Sequence, residues 1–258
     1  MGVAGMKGLR IILDLAGRPP WWQMALDEAV LEAVASGSSP PTLRFYVFSP
    51  TSVTIGLFQS VKDSVDLDEA RRLGVPVVRR FTGGGSVLHA EGGELTYSVA
   101  LPTKGVLGDV VESFRLLCGA VARGLRLLGV EARVEGVNDV VAGGRKVSGN
   151  AQARRGGALL QHGTVLLRPD RVLMERLLKA PREKLASHGV SGIGSRVIGV
   201  EELLGRSVGV GEVAAALRKG FEETLGLRGH HGWFTERELE MAWKLVEKYR
   251  SERWLMKR

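Results

Sequence analysis

Apolar positions recur along the chain at two spacings, and the change from one to the other marks the elements. The run from Leu9, "LRIILDL", reads as a strand, and Pro19-Pro20 stops it. The next stretch, "WWQMALDEAVLEAVASG", sets Trp22, Ala25, Leu26, Ala29, Val30 and Leu31 at helical spacing, with proline at its start and Gly37 at its close. "TLRFYVF" (42–48) and "SVTIGLF" (52–58) flank Ser49-Pro50 and predict a strand–turn–strand pair. "DLDEARRLG" (66–74) has an acid at its head and a glycine at its tail, the marks of a short helix. "VPVVRRF" (75–81) is a strand running into three glycines, and "ELTYSVALP" (94–102) is the strand leaving them.

Further on, "DVVESFRLLCGAVARGLRLLG" (109–129) is amphipathic, with Val110, Val111, Phe114, Leu117, Cys118, Val121 and Leu125 on one face. A cysteine in such a stripe reads as a core filler. Residues 132–152 read as strands joined by an Ala-Gly-Gly turn, and 158–167 as a further strand. The last hundred residues predict helices at 170–178, 200–204, 210–225 and 235–250, with the Gly/Ser-rich "HGVSGIGSRVIG" (188–199) among them. No repeat or linker interrupts the pattern. The expectation is an α+β fold, a mixed β-sheet flanked by helices. One domain would span 1–258, with a core of about 9–180 and a mainly helical part of about 181–258.

A chain of 258 residues, 44% hydrophobic, can bury a sizeable core. No apolar run approaches the roughly 18–20 residues of a membrane span, and the N-terminus has no long apolar signal core, which predicts a cytoplasmic protein with no membrane partner. One cysteine excludes an internal disulfide. The net charge of +8 is unevenly spread: between 140 and 182 nine Lys and Arg face only Asp170 and Glu175. Such a block suits an anionic partner, or else a solvated face. Amides are scarce, yet both asparagines (138, 150) and two of four glutamines (152, 161) fall within 138–161. That concentration points to side chains needed in place.

Three polar clusters sit on or beside these strands. In "RRFTGGGSVLH" (79–89), successive backbone N–H groups of a glycine loop can form an anion site, with Arg79 or Arg80 adding fixed charge. It is not a Walker loop, since no Gly-Lys-Ser/Thr follows and no helix opens there. In the second cluster Lys146 follows a glycine turn, opposite Asn138 and Asp139 on the preceding strand. An ammonium suits a phosphate or carboxylate oxygen, and an aspartate can hold Mg²⁺. The third, His162-Gly163-Thr164, interrupts an apolar strand, where a histidine is more often hydrogen-bonded in the core than catalytic. His188, His230 and His231 form no ligand spacing.

Together these segments make the chain resemble the lipoate–protein ligase family, in its short, archaeal-type form. The matching pieces, in family order, are "MALDEAVL", "LRFYVFSPTSVTIGLFQ", "VRRFTGGGSVLH", "NDVVAGGRKVSGNAQ", "LQHGTVLL" and "GVSGIGSRV". The resemblance implies a biotin/lipoate ligase-like fold and a two-step reaction: lipoate and ATP give lipoyl-adenylate, and the lipoyl group passes to a lysine of an acceptor domain. It implies that Arg80 and the loop Gly83, Gly84, Gly85, Ser86, Val87, Leu88 hold the adenylate phosphate and acyl chain. It makes Lys146 the catalytic residue, touching both carboxylate and phosphate, and sets Asn138 and Asp139 near nucleotide and metal, with Asp139 the Mg²⁺ ligand. His89, Ser148, Gly149, Gln152, His162, Gly163 and Thr164 would line the same region. The implied partners are lipoyl-acceptor domains of 2-oxoacid dehydrogenase E2 or the glycine-cleavage H protein. Because the C-terminal accessory domain of many ligases is missing, a separate accessory subunit is also implied.

Two features depart from that pattern. After the glycine loop stands His89-Ala90 where ligases often have His-Asp, and "ELTYS" and "LQHG" resemble the octanoyltransferase branch, which uses acyl carrier protein and no ATP. That branch needs an acyl-accepting cysteine, and 131–145 contains none. This, with Asn138-Asp139, favours the ligase. A basic nucleic-acid-binding protein is the alternative from another class; three Tyr and seven Phe, without aromatic–basic interleaving, argue against it, and no nucleic acid is expected. Trp243 and Trp254 near the end would serve docking, or for Trp243 more ordinarily core packing.

Overall fold

The computed structural model describes residues 6, 8–179 and 192–257. His188, and the segment 188–191 of the Gly/Ser-rich stretch, lie outside the described residues. The strands are β1 (Leu9–Arg18), β2 (Thr42–Phe48), β3 (Ser52–Ile55), β4 (Val77–Arg79), β5 (Val87–His89), β6 (Glu94–Pro102), β7 (Ala132–Glu135), β8 (Asp139–Ala142), β9 (Arg145–Arg155), β10 (Ala158–Leu166) and β11 (Gly229–His231). Eight of them form one sheet in the order β11-β1-β2-β6-β10-β9-β8-β7. It is mixed, because β1 runs parallel to both β2 and β11 while the other pairs are antiparallel.

Helices cover both faces. On one lie α1 (Pro20–Ala35) and a long helix near the end, Glu236–Arg250; on the other lie Val110–Leu127 and Val210–Leu225. In chain order these are α1, α8, α4 and α7, the short helices between being α2 (Val61–Ser64), α3 (Leu67–Arg72), α5 (Arg171–Leu177) and α6 (Val200–Leu204), with α9 (Glu252–Leu255) last. Side chains of successive strand residues point to opposite faces. Phe45 and Leu159 therefore join Leu117, Val121 and Phe221 in the α4/α7 layer, while Tyr46 and Leu160 join Leu26, Val30 and Val246 in the α1/α8 layer. A second, three-stranded sheet, β4-β3-β5, packs with α2, α3 and α5 around Val53, Ile55, Leu88 and Leu177.

The mixed sheet flanked by helices is as expected; several local expectations are corrected. β2 and β3 do not pair: β2 lies in the large sheet and β3 in the small one, so both are buried strands on either side of a crossing rather than a hairpin. β3 also ends at Ile55, because the carbonyls of Gly56, Leu57 and Gln59 turn to accept from Arg79 Nη1. The segment after the glycines is itself strand, with Leu88 opposite Val53. β11, only the three residues Gly-His-His, gave no periodic signal. Trp243, finally, does not pack in the core: it is 64% exposed, edge-on to Trp22.

Candidate active site

α1 carries Gln23, Asp27 and Glu28 on buried positions, an arrangement tolerated only where each finds partners. Asp27, inaccessible to solvent, accepts from Arg44 (2.9 Å), Ser98 (2.7 Å), Tyr46 (2.8 Å) and His162 Nδ1 (3.0 Å). Burial would raise its pKa; the His162 hydrogen bond and the Arg44 charge outweigh that and hold it below the ordinary 3.8. His162 is pushed down by burial, so its ring is neutral at pH 7 with the proton on Nδ1 toward Asp27. Its Nε2 then accepts from the Thr82 hydroxyl at 2.7 Å. Thr82 in turn accepts from Arg80 Nε at 3.1 Å. A second imidazole makes a parallel set: His89 lies 2.6 Å from Glu94 and 2.9 Å from Thr54 Oγ1, and stacks on Phe48.

Both sets converge on Arg80. Its guanidinium is buried and has no carboxylate partner among the described residues; it donates to the carbonyls of Gly83 (2.6 Å) and Gly85 (2.7 Å) and to Thr54. Burial brings its pKa down to about 10, still fully charged at neutral pH. An unneutralised cation wrapped in a glycine loop is a ready anion site. Gly84 sits at φ +90°, and a Cβ there would lie 2.8 Å from Arg80 Nη2, so only glycine admits this wrapping.

The loop roofs a cavity of about 110 Å³ between the two sheets. Thr96, His162, Thr164 and Ala151 of the large sheet face Thr54, Val87 and His89 of the small one, and Met24, Tyr46 and Phe48 also line it. Lys146, Asn138 and Gly149 complete the wall. Lys146 is aimed by a bulge: Val140 pairs with Ser148 but Val141 with Lys146, leaving Val147 as the extra residue. Bulges re-aim side chains in this way. Val147 enters the core, and the Lys146 ammonium sits 2.6 Å from Asp139 Oδ1, both side chains about one-third exposed. Gly149 makes the room, since a Cβ would stand 2.5 Å from Lys146 Cε.

Of the residues expected in the site, Arg80, Gly84, Gly85, Ser86, Val87, His89, Asn138, Lys146, Gly149, His162, Gly163 and Thr164 line this cavity. Asp139 stands beside Lys146, and Gly83 faces Arg80 with its carbonyl. Leu88 points the other way, into the small sheet's core, because its neighbours Val87 and His89 take the cavity side. Ser148 is fully buried, and Gln152 lies on the α4 side, bound to Gln161 and Ser113. Sequence reasoning missed Asp27, Tyr46, Thr54 and Thr82. Two acids inside the apolar helix "MALDEAVL" were the one available signal. Cys118 is a core residue, its thiol pushed up to about 12 by burial, and it is not on the cavity wall. Among the described residues no cluster of three His, Cys, Asp or Glu could hold a metal, and no helix is long and apolar enough to cross a membrane.

Residues 19–222 match the family model of the lipoyl protein ligase A/B catalytic domain. The chain belongs to that family. Its similarity extends beyond the matched segment: octanoyltransferase LipM of Symbiobacterium thermophilum is 38% identical over 270 residues, 96% of this chain and 98% of that one. Among solved structures, a bi-partite lipoate protein ligase from Thermoplasma acidophilum, described with its E2 lipoyl domain, superposes with a TM-score of 0.85 at 35% identity, covering 97% of this chain and 96% of that one. A lipoate-protein ligase A bound with ATP gives 0.84 at 34%, covering 97% and 99%. The lipoyl ligase A/B family thus joins ligases and transferases around one fold, and this member is an enzyme of that group.

Proposed function

We propose that this protein is a lipoate–protein ligase: it activates lipoate with ATP as the acyl-adenylate and passes the acyl group to a lysine of a lipoyl-acceptor domain. One observation carries the reading. The cavity presents fixed positive charge, Arg80 without a carboxylate partner among the described residues and Lys146 at the rim, but no cysteine; the chain's single thiol is buried elsewhere. Both steps gather negative charge on oxygens around one carbonyl, and preorganised cations stabilise such charge strongly. Arg80 and the Gly84–Gly85 backbone would hold a phosphate, and Lys146 would bridge phosphate and carboxylate. Magnesium needs only one or two protein carboxylates plus substrate phosphates, and Asp139 is the carboxylate at hand. When bound it would neutralise phosphate charge.

A second reading has its own support in the names of relatives such as the Symbiobacterium octanoyltransferase. In it, octanoyl would come from a carrier protein without ATP. With Cys118 out of reach, the nucleophile would be a hydroxyl backed by an imidazole, Thr54 with His89 being the pair on the wall, or transfer would be direct. Pyrophosphate release on mixing the enzyme with lipoate, ATP and Mg²⁺ separates the two readings. The ligase reading expects release that depends on lipoate. Octanoyl transfer from carrier protein without ATP, and no pyrophosphate, would replace it with the second.

Two variants follow. Cys118→Ala is expected to keep wild-type turnover, since the thiol is outside the cavity; a dead but folded Cys118→Ala would refute the assignment. Gly149→Ala is expected to push the ammonium aside and lower turnover about a hundredfold, with the melting temperature little changed. Unaltered steady-state kinetics in this variant would mean that Lys146 does not act from the position seen here.

A further inference from the structure

The layer between the large sheet and α4 is otherwise apolar, built from Leu117, Val121, Val99 and Phe221, yet a line of polar side chains runs through it. From the head of α4 the Ser113 hydroxyl, shared between the Val110 carbonyl (2.8 Å) and Gln152 Oε1 (3.2 Å), begins the line, and Gln152 Nε2 donates to Gln161 Oε1 (2.9 Å). Gln161 Nε2 donates to the Tyr97 hydroxyl (2.7 Å), which donates to Asn150 Oδ1 (2.7 Å). Asn150 Nδ2 then reaches the Asn138 carbonyl (2.9 Å), and Asn138 Nδ2 returns to the Asn150 carbonyl (2.6 Å). From Gln152 to the Asn138 carbonyl each amide or hydroxyl donates onward in the same direction, and the Asn138 amide closes the line by donating back.

Strand register makes the line possible. Gln152 and Gln161 are cross-strand partners, and Gly163 pairs with Tyr97 on one side and Asn150 on the other. Gly163 has no side chain, and a Cβ there would collide with the Asn150 amide. Tyr97 and Asn150 therefore meet across the intervening strand. The line ends on Asn138, next to Asp139, whose carboxylate holds Lys146.

Buried polar networks are high-stakes: an apolar core of the same shape is often as stable, and a broken network is worse than none. None of these residues has a buried side-chain nitrogen or oxygen without a partner. Hydrogen bonding alone does not require the network to end at the site's rim, whereas positioning does. We propose that Tyr97, Gln161 and Gln152 are positioning residues: acting from the face of the sheet opposite the cavity, they hold Asn150, and through it the Asn138–Asp139 turn, at the distance from which Asp139 orients Lys146. This deepens the ligase reading and rests on its assignment of Lys146.

Tyr97→Phe removes one hydroxyl and leaves the ring against Phe221; Gln161→Met removes the donor to Tyr97 and is the second variant should the first not fold. In both, kcat for lipoyl transfer is expected to fall about tenfold to a hundredfold with the KM for lipoate unchanged. Hydrogen exchange in residues 136–142 is expected to quicken while α4 keeps wild-type protection. Wild-type kcat and exchange in these variants would overturn the proposal, as would general loosening of α4 with kcat and KM moving together. A wild-type enzyme that does not consume lipoate and ATP would sink the proposed reaction instead, and the exchange result would then decide the positioning role by itself.

Discussion

Lys146→Ala is expected to lower acyl transfer to an acceptor domain by about a hundredfold to a thousandfold, the loss typical of removing one preorganised stabiliser of developing charge. The same change should leave the fold intact. Among the described residues Lys146 makes one ion pair, with Asp139, and both partners are about one-third exposed, so water already screens it. Pairs of this kind contribute about 0–1 kcal/mol, which shifts the melting temperature of a chain this size by no more than about 4 °C. Steady-state transfer assays beside thermal melts check both halves. A folded Lys146→Ala enzyme with wild-type turnover would remove the residue from the reacting centre. Lys146→Arg should not restore activity, because the planar guanidinium needs more room than the space over Gly149 provides.

Asp27→Ala should act in the opposite sense, first on stability. The carboxylate is inaccessible to solvent and satisfies Arg44, Tyr46, Ser98 and His162 together. Removing one member of a buried ionic network costs about 3–5 kcal/mol, a fall in melting temperature of roughly 10 °C. Activity should fall as well, since His162 would lose the acceptor that fixes its tautomer, and Thr82 and Arg80 hang on that ring. A pH series adds a second observable. The Asp27 and Asp14 carboxyls are held below 3.8, so the unfolded chain binds more protons than the folded one as the medium turns acid. Their contribution is fully present above about pH 3.8 and is lost as pH falls through the lowered values. Asp27→Ala should flatten that part of the profile. Melting indistinguishable from wild type at pH 7 would contradict the network's structural weight.

Much of this was legible beforehand where a residue's role is local. The two-residue turn of Gly143 and Gly144 set Lys146 and Asp139 on neighbouring strands, as the hairpin pattern required, although Lys146 pairs with Val141 and only the bulge brings its ammonium to Asp139; the glycine triplet between strands marked the loop around Arg80. The amide concentration at 138–161 was a true signal with a different meaning: Gln152 and Gln161 belong to the α4 layer, not the cavity. Long-range partnerships left no trace in periodicity. Nothing near Thr54 or Thr82 in sequence reveals that each would meet an imidazole from another strand. The partners of the basic block of 140–182 were hidden for the same reason. Arg155, Arg168, Arg171 and Arg176 face Glu28, Glu32, Glu201, Glu202 and Glu69, acids brought in by folding. Arg154 and Lys179 bind backbone carbonyls.

Acyl activation by the proposed ligase is expected to use fixed cations and no covalent acyl-enzyme. Mass spectrometry of the wild-type chain, mixed with lipoate, ATP and Mg²⁺ and separately with octanoyl carrier protein, tests it most directly. The expected result is lipoyl-adenylate retained under native conditions, with the denatured chain at its unmodified mass after either donor. An acyl group covalently attached to the chain, on Thr54 or any other side chain, would contradict the account.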